Sequence, residues 1–171
     1  EMSAYLSGPV VGPDGYFHLV WMWRDTPLGS TNHDLSYARS LDLEHWETVD
    51  GERLSLPLTL ETSGGVVDPV RSGEGLVAIA FGVGWDASGR PVLSYSKYDA
   101  NGKSQWFNAR REGEEWTVYQ ASEWQYSWDL ERTGALAWDI AASPIGVDRQ
   151  GRLTQSFTHI EAGSGTWVLE E

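Results

Sequence analysis

The chain has 171 residues, of which 40% are hydrophobic, and a formal net charge of −13 at pH 7. This length is sufficient for one domain with a substantial core. The excess of acidic residues argues against nucleic-acid binding, which depends on many Lys and Arg side chains that neutralise phosphates. The sequence lacks a run of about 18 apolar residues, so we expect no membrane span. The absence of cysteine excludes disulfides and thiolate metal sites.

Short apolar runs between turn signals predict an all-β chain. The first run, Tyr16–Trp23, follows a Pro13-Asp14-Gly15 turn and is apolar on both faces, which is typical of a strand covered on both sides. His18 lies inside this run and is expected to be a core histidine. After a polar loop, the sequence predicts a strand at Leu35–Arg39 and an outer strand at Trp46–Val49.

Two further units of the same kind follow. Leu76–Phe81 is predicted to open the second unit as a strand buried on both faces. The remaining strands are predicted at Pro91–Tyr98, Gln105–Arg110, Trp116–Gln120, Leu153–His159 and Thr166–Leu169, the last two in a third unit that begins near Ala137.

The three units form an internal repeat. The dipeptides Asp14-Gly15, Ser88-Gly89 and Gln150-Gly151 each precede a β-rich run, and an Ala-Arg strand is followed by tryptophan at Trp46 and again at Trp116. Both tryptophans are expected to be buried and equivalent. We interpret the repeat as between two and three four-stranded antiparallel blades of one partial β-propeller, at about residues 8–60, 66–122 and 134–171.

Three blades do not close a ring, because propellers use roughly four to eight. Open ring edges leave unpaired strands and apolar faces exposed. We therefore expect this single propeller segment to be part of a longer chain or to form a homo-oligomer.

The segment Ser40–Trp46 resembles the Asp-box hairpin of sialidase-like propellers, shortened by one residue and without its glycine. In that hairpin the aspartate accepts hydrogen bonds from the backbone of its own turn, and the tryptophan plugs the blade. Asp42 would have this role here.

A longer resemblance is to the BNR-repeat β-propellers related to ulvan lyases and other uronate polysaccharide lyases. It covers about Gly8–Ile140 and is carried by the segments Trp21–Pro27, Asn32–Ser40, Tyr95–Asp99, Asn108–Arg110 and Trp124–Asp129. It implies a seven-bladed ring, of which this chain would be less than half. It also implies β-elimination on a uronic-acid-containing polysaccharide and an extracellular or periplasmic location.

In these lyases the histidine of an Asn-His-Asp segment and a tyrosine of a Tyr-His-Lys-Tyr-Asp segment are associated with catalysis. The resemblance thus implies His33 and Tyr98 as catalytic residues. Ser96 and Ser127 stand where the resemblance predicts a histidine and an arginine. Two hypotheses remain: a lyase, or a carbohydrate-binding or structural propeller segment without turnover. A glycoside hydrolase with paired carboxylates is less favoured.

Elimination from a uronate requires a cation or strong donors on the carboxylate, a base for the C5 proton and an acid for the departing oxygen. Histidine suits proton transfer near neutral pH, and a tyrosine can serve if neighbouring cations lower its pKa. Arg24 and Arg110 are candidates to bind the carboxylate, with Asn32 beside His33. Lys97 has the opposite strand parity to Tyr98 and is expected to point away.

Aromatic side chains supply candidate sugar-stacking groups. Trp124, Tyr126 and Trp128 fall in one short segment, although core packing is expected to explain most of the ten tryptophans. The four histidines are scattered without a close pair, so we predict no metal site, and no motif indicates a cofactor.

Overall fold

The computed structural model describes residues 2–62, 64–132 and 135–170. In those residues it contains one short 3-10 turn, Gly29–Thr31, and thirteen β-strands. The strands are β1 Ser3–Val11, β2 Phe17–Arg24, β3 Asn32–Ser40, β4 Trp46–Glu47, β5 Val66–Asp68, β6 Gly82–Trp85, β7 Pro91–Tyr98, β8 Ser104–Glu112, β9 Glu115–Gln120, β10 Ile140–Ala142, β11 Gly146–Val147, β12 Leu153–His159 and β13 Gly163–Leu169.

The strands form three antiparallel sheets, which confirms the all-β partial propeller. The first sheet has the order β1-β2-β3-β4, and β5 also pairs with β3. The second sheet is the meander β6-β7-β8-β9. In the third, β10 and β11 pair with successive parts of β12, which also pairs with β13 along its whole length. Within the described residues the structure has no helix long and apolar enough to span a membrane.

Two layers of core side chains lie between the sheets. The larger cluster joins the first and second sheets through residues such as Met22, Leu35, Leu93 and Tyr95, all nearly or fully buried. A second cluster, which includes Trp106 and Ile140, joins the second and third sheets. Because each sheet is covered by its neighbour, the central strands are apolar on both faces, as the sequence of β2 predicts.

The hairpins that enter β2, β7 and β12 share one turn geometry, which confirms the predicted repeat. In each turn the first N–H donates to the fifth carbonyl, and the glycine N–H at the fourth position donates to the first carbonyl. The glycines have φ between +73° and +81°, a conformation that suits glycine. The turns are Gly12–Tyr16, Asp86–Arg90 and Asp148–Arg152, and a fourth copy, Asp99–Lys103, joins β7 to β8.

The first three of these turns define one end of the sheets, which we call the turn end. The opposite end, where β2 and β7 finish and β3 begins, is the loop end. Gly89 lies close to the ring of Pro13, so the turns of the first two sheets are neighbours in space.

The Asp-box hairpin at Ser40–Trp46 has the expected internal bonds. Asp42 Oδ1 accepts from the backbone N–H groups of Glu44 and His45 at 2.9 and 2.7 Å. The His45 side chain, bonded to Asp42 Oδ2 at 2.7 Å, holds the pKa of that carboxyl well below its usual range. Leu43 has a φ of +67°, so in this shortened hairpin a leucine occupies a conformation that favours glycine.

The structure corrects the prediction of a strand at Leu76–Phe81. Leu76 and Val77 are completely buried, but the strand begins only at Gly82. Ala80 has a φ of +54° and interrupts the extended backbone. The Val77 N–H still donates to the Ser96 carbonyl at 3.0 Å, so the segment contacts β7 without forming a regular ladder.

Strand β1 is absent from the elements predicted by sequence. It contains Gly8-Pro9, a pair that normally marks a turn, and its pairing with β2 shifts register between Ser7 and Val10. The bulge accommodates these two residues inside a strand. All but one residue of β1 are exposed, so neither face of the strand has to be apolar. Its sequence therefore lacks the alternation of apolar and polar residues that indicates a half-buried strand.

The prediction that Trp46 and Trp116 are buried and equivalent is wrong. Both are half-buried. Trp46 packs on the small cluster of Trp21, Ala38 and Leu54 within its own sheet. Trp116 makes an edge-to-face contact with Tyr37 of the first sheet, with ring centroids 5.6 Å apart. One tryptophan therefore closes its own sheet, and the other connects two sheets.

Candidate functional site

The segment Asn32–Asp34 begins β3 at the loop end, where Asn32 pairs with Arg24 and His33 pairs with Trp23. Asp34 has a φ of +50°, which is unusual for a residue other than glycine. Its N–H donates to the Val70 carbonyl at 2.9 Å, and the register of β2 and β3 shifts beside it. Strained backbone and bulges concentrate where a fold aims a functional side chain, and here they flank His33.

His33 is nine-tenths buried and lies between two carboxylates. Its Nδ1 is 2.8 Å from Asp34 Oδ2, and its Nε2 is 3.2 Å from Asp25 Oδ1. The Asp25 side chain is half exposed, whereas that of Asp34 is more covered. Asp34 therefore fixes the orientation of the imidazole ring, and Asp25, in the loop between β2 and β3, contacts the other ring nitrogen.

Arg24 and Asn32, both predicted to bind substrate, are bonded to each other. Arg24 Nε donates to Asn32 Oδ1 at 2.6 Å, and its Nη1 donates to the Tyr5 hydroxyl at 2.7 Å, with the guanidinium 3.9 Å from the Tyr5 ring centroid. Burial lowers the pKa of Arg24. Asn32 is fully buried, and its Nδ2 donates to the Leu76 carbonyl at 2.7 Å. Asn32 thus connects β3 to the segment that follows β5.

Residues Val70–Leu76 form a loop between the first two sheets, which we call the bridging loop. Its Val70 carbonyl accepts from Asp34, and its Gly73 N–H donates to the Ser30 carbonyl at 2.8 Å. These bonds attach one side of the loop to the start of β3, next to His33.

The other side of the bridging loop holds the end of β7. The Glu74 carbonyl accepts from the Tyr98 N–H at 3.0 Å. Gly75 has a φ of +77°, and a Cβ on it would lie 2.2 Å from Cγ of Tyr98, so the ring packs directly on the glycine backbone. The loop therefore brings the strand ends that carry His33 and Tyr98 to the same end of the molecule.

Tyr98 is half-buried, and its hydroxyl donates to the Trp128 carbonyl. Burial, with smaller contributions from Asp129 and Glu131, raises the pKa of Tyr98. The phenol is therefore protonated near neutral pH, so Tyr98 has a proton to donate and is not present as a phenolate base. An open groove of about 430 Å³ lies beside the ring, between Gly73-Glu74 and residues 97–102.

Arg110 lies far from this cluster. It pairs with Val92 at the start of β7, whereas Tyr98 pairs with Ser104 at the other end. Six residues of strand separate the two pairs, a distance of roughly 20 Å. Arg110 donates to Glu112 Oε1 from Nε and Nη2 at 3.0 and 2.6 Å, and this bond raises its pKa. The structure does not bring Arg110 together with His33 and Tyr98.

Lys97 points away from Tyr98, as predicted. Its Nζ lies 2.6 Å from Asp68 Oδ2, which also accepts the hydroxyl proton of Tyr95. His18 is likewise a core histidine, as predicted: it is fully buried, with its ring nitrogens bonded to Tyr37 and Asp14.

The predicted sugar-stacking residues occupy different environments. Trp128 is 2% exposed and packs in the core between the second and third sheets. Trp124 packs against His159, with ring centroids 4.4 Å apart. The Tyr126 hydroxyl donates to Asp139 Oδ2 at 2.7 Å, and burial together with this carboxylate raises the pKa of Tyr126 to about 12.

Sequence reasoning missed Trp138, whose side chain is 69% exposed while the other nine tryptophans are buried or half-buried. It follows Leu136, which packs against Gly29 beside β3, and precedes Asp139, the partner of Tyr126. These neighbours place Trp138 at the loop end. The sequence around Trp138 has no alternation of apolar and polar residues, so the sequence alone gave no signal that this side chain is exposed.

Ser96 and Ser127 also lie at the loop end. Ser96 is fully buried, and among the described residues its Oγ has no hydrogen-bond partner. Ser127 is exposed and donates to the Gly102 carbonyl at 2.8 Å. In the part of the chain that the structure describes, no group of three or more histidine or acidic side chains is placed to hold a metal ion.

The sequence model of the BNR repeat-containing family matches residues 1–124. The chain belongs to this family. A comparison with curated protein sequences finds no match.

Two similar solved structures are both of an ulvan lyase, described as a new polysaccharide lyase family, PL25. One of them is bound to -[GlcA(1-4)Rha3S]-. Each superposes with a TM-score of 0.62 at 19% identity, over 94% of this chain and 37% of the lyase chain. This family member therefore shares the propeller fold of those enzymes and spans little more than a third of their length.

Proposed function

We propose that the chain is a segment of a polysaccharide lyase that cleaves a uronic-acid-containing polysaccharide by β-elimination, with His33 and Tyr98 as the proton-transfer pair. The observation that carries the proposal is the geometry of His33. Its imidazole is nine-tenths buried at a strand mouth, its Nδ1 is fixed by Asp34 at 2.8 Å, and its Nε2 faces a half-exposed carboxylate. A carboxylate that orients one ring nitrogen and leaves the other for substrate is a common arrangement for a histidine base.

The reaction assigns one proton to each residue. We assign the proton of the neutral imidazole to Nδ1, which faces Asp34 Oδ2, so Nε2 takes the proton from C5 of the uronate once substrate displaces the Asp25 carboxylate. The electron pair of the C5–H bond forms the C4–C5 double bond as the C4–O bond breaks. The Tyr98 hydroxyl, which is protonated at neutral pH, donates its proton to the departing oxygen.

The likeness to ulvan lyase structures supports the fold on which this chemistry is placed, and the family match supports the placement of Asn32–Asp34 in a BNR repeat. Arg24 and Asn32 lie at the same end as His33, and Trp124 and Tyr126 line the same end of the third sheet. We propose that the blades needed to complete a ring come from a longer chain or from further copies of this one.

A second candidate function is carbohydrate binding without turnover. The observation that favours it is the hydroxyl of Tyr98, which is already bonded to the Trp128 carbonyl and must leave that bond to reach a substrate. Ser96 and Ser127 favour it as well, since a serine supplies neither the base nor the cation that elimination uses.

The test is to incubate the protein with a polymer of glucuronic acid and 3-sulfated rhamnose and to follow the ultraviolet absorbance of the unsaturated product. We expect absorbance to rise with the wild type and to be lost in His33→Ala and Tyr98→Phe. His45→Ala is the matched control, because His45 is an exposed histidine of the Asp-box at the turn end.

The lyase proposal fails if new reducing ends form without ultraviolet absorbance, which indicates hydrolysis. It fails also if the polymer binds and no product forms, which leaves the binding function. Loss of product in the His45→Ala control as well would show a folding defect rather than a role for His33.

A further inference from the structure

The loop end is rich in negative charge, although the proposed substrate is itself an anion. Asp25 and Asp34 flank His33, and Asp129 and Glu131 act on Tyr98. The chain as a whole carries a net charge of −13. A uronate held here requires a local cation, both for binding and to stabilise the charge that develops when the C5 proton leaves.

The basic residues already discussed are occupied elsewhere. Arg24 is bonded to Asn32 and Tyr5. Lys97 is paired with Asp68 at 2.6 Å, and Arg110 is paired with Glu112 at the turn end. Each of them would have to give up an internal partner, or lies too far away, to reach a carboxylate beside His33.

Arg71 differs from them in position and in partners. It is the second residue of the bridging loop and directly follows Val70, whose carbonyl holds the Asp34 N–H. Its side chain is exposed, and within the described residues it has no carboxylate at ion-pair distance. Arg71 thus places a cation on a segment that is bonded both to the residues that begin β3 and to the end of β7.

The local backbone fixes this position. The Arg71 N–H donates to Glu74 Oε2 at 2.8 Å, and the Glu74 N–H donates to the Arg71 carbonyl at 3.0 Å. These two bonds close a tight turn at Arg71. They also occupy the Glu74 carboxylate with a backbone donor rather than with the guanidinium.

We propose that Arg71 binds the carboxylate of the uronate at the loop end and so replaces the cation missing at Ser127. This inference rests on the proposed function and names the residue that recognises the acid group of the substrate. A guanidinium presents two parallel N–H donors that match a carboxylate. In this position it would neutralise the acid group while His33 removes the adjacent proton.

The experiment measures binding by isothermal titration calorimetry with two probes. The first is an oligosaccharide of glucuronic acid and 3-sulfated rhamnose, and the second is the same oligosaccharide with its carboxyl groups reduced to alcohols. We expect Arg71→Ala to weaken binding of the first probe about 10- to 100-fold, the range expected for charge-assisted hydrogen bonds, and to leave the second probe unaffected. The affinity of Arg71→Lys for the first probe should lie between those of the wild type and Arg71→Ala, because an ammonium keeps the positive charge without the two parallel N–H donors.

Arg149→Ala is the matched control, since Arg149 is an exposed arginine in the turn that enters β12. It should bind both probes as the wild type does. The melting temperature of Arg71→Ala should equal that of the wild type, because the side chain is exposed.

Unchanged binding of the first probe by Arg71→Ala overturns the role of Arg71 and leaves the proposed function intact. Equal weakening for both probes also overturns it, because Arg71 would then contact the sulfate or the sugar. A wild type that binds neither probe overturns the proposed function itself, and the role of Arg71 with it.

Discussion

The two ends of the sheets differ in how their charged side chains are partnered. At the turn end three arginines pair with carboxylates of the same or a neighbouring hairpin: Arg90 with Asp86 at 2.7 Å, Arg152 with Asp148 at 2.8 Å and Arg39 with Glu47 at 2.9 Å. At the loop end, two carboxylates share the single imidazole of His33, and Arg71 has no described carboxylate partner.

The difference indicates that the ion pairs at the turn end stabilise the fold, whereas the charged side chains at the loop end are candidates for binding a ligand. Charges that satisfy each other within one hairpin hold the geometry of the turn and have no further group to offer a ligand. Two carboxylates around one imidazole, beside an arginine with no carboxylate partner among the described residues, leave charged groups that a ligand can contact. The candidate site is therefore expected at the loop end.

The three turns at the turn end differ in sequence, and each is closed by a side-chain hydrogen bond or ion pair of its own. The second and third sheets use an aspartate at the first turn position and an arginine at the fifth. The first sheet has Gly12 there, because a Cβ would lie 2.3 Å from His18 Nε2. Asp14 bonds to that histidine at 3.0 Å and so supplies the missing side-chain link between turn and strand.

The largest effect is expected for Asp86→Ala. Asp86 is 4% exposed, accepts from the backbone of Ser88 and Arg90, and pairs with the Arg90 side chain. The Arg90 side chain is 44% exposed and stays solvated, but the two backbone N–H groups lose a buried acceptor, at about 1–3 kcal/mol each. Chemical denaturation should show a loss of that size, and a much smaller loss for the equivalent Asp148→Ala. Equal losses would show that burial does not distinguish the two turns.

Acid should destabilise the loop end of the third sheet through His159. Its Nδ1 accepts from the N–H groups of Glu161 and Ala162, both at 3.0 Å, and burial lowers its pKa. Because the folded pKa is below the unfolded value of about 6.5, the unfolded chain binds more protons as pH falls, so stability decreases below that pH. Thermal denaturation between neutral and mildly acidic pH measures this.

The matched variants for this pH series are His159→Asn and His45→Asn. His159→Asn should lose less stability on acidification than the wild type does. His45→Asn should lose as much as the wild type, because His45 is an exposed histidine at the turn end. A pH dependence unchanged in His159→Asn would assign the effect to other groups.

A small gain in stability is expected for Leu43→Gly at the turn end. Leu43 has a φ of +67° and is 46% exposed, so glycine relieves backbone strain at little loss of packing. The greater freedom of glycine in the unfolded chain offsets part of this, and the net gain should be about 1 kcal/mol or less. A lower melting temperature in Leu43→Gly would show that the leucine side chain contributes more than the strain costs.

No change in affinity is expected for Arg110→Ala with the uronate oligosaccharide. Its guanidinium is bonded to Glu112 roughly 20 Å along the strand from Tyr98. Calorimetry should give the wild-type dissociation constant, while the melting temperature falls because Glu112, at 2.6 Å, and Asp86, at 3.7 Å, lose an ion-pair partner. Weakened binding with an unchanged melting temperature would place substrate at the turn end and break the comparison.

Sequence alone predicted the position of part of the candidate site along the strands. The Asn-His-Asp segment precedes the predicted strand Leu35–Arg39, and Tyr98 ends the predicted strand Pro91–Tyr98; the structure has both at the loop end. The sequence did not predict that Arg110 lies at the opposite end, that Trp128 is buried or that Trp138 is exposed. These outcomes depend on which strand ends meet in space, and a single sequence with no helical or strand period in the loops does not carry that information.

The sequence by itself determined the strands β2, β3, β7, β8 and β12 and the repeated turns. Those turns are closed by hydrogen bonds between residues at most four positions apart, as from Asp86 to Arg90, so local residue types are sufficient to specify them. Only the tertiary structure decided the partners of His33, Tyr98 and Arg71. Asp34 meets Val70, and Tyr98 meets Trp128, across 36 and 30 positions of chain. Such contacts form when whole sheets pack, because the core between the sheets fixes which loops lie side by side.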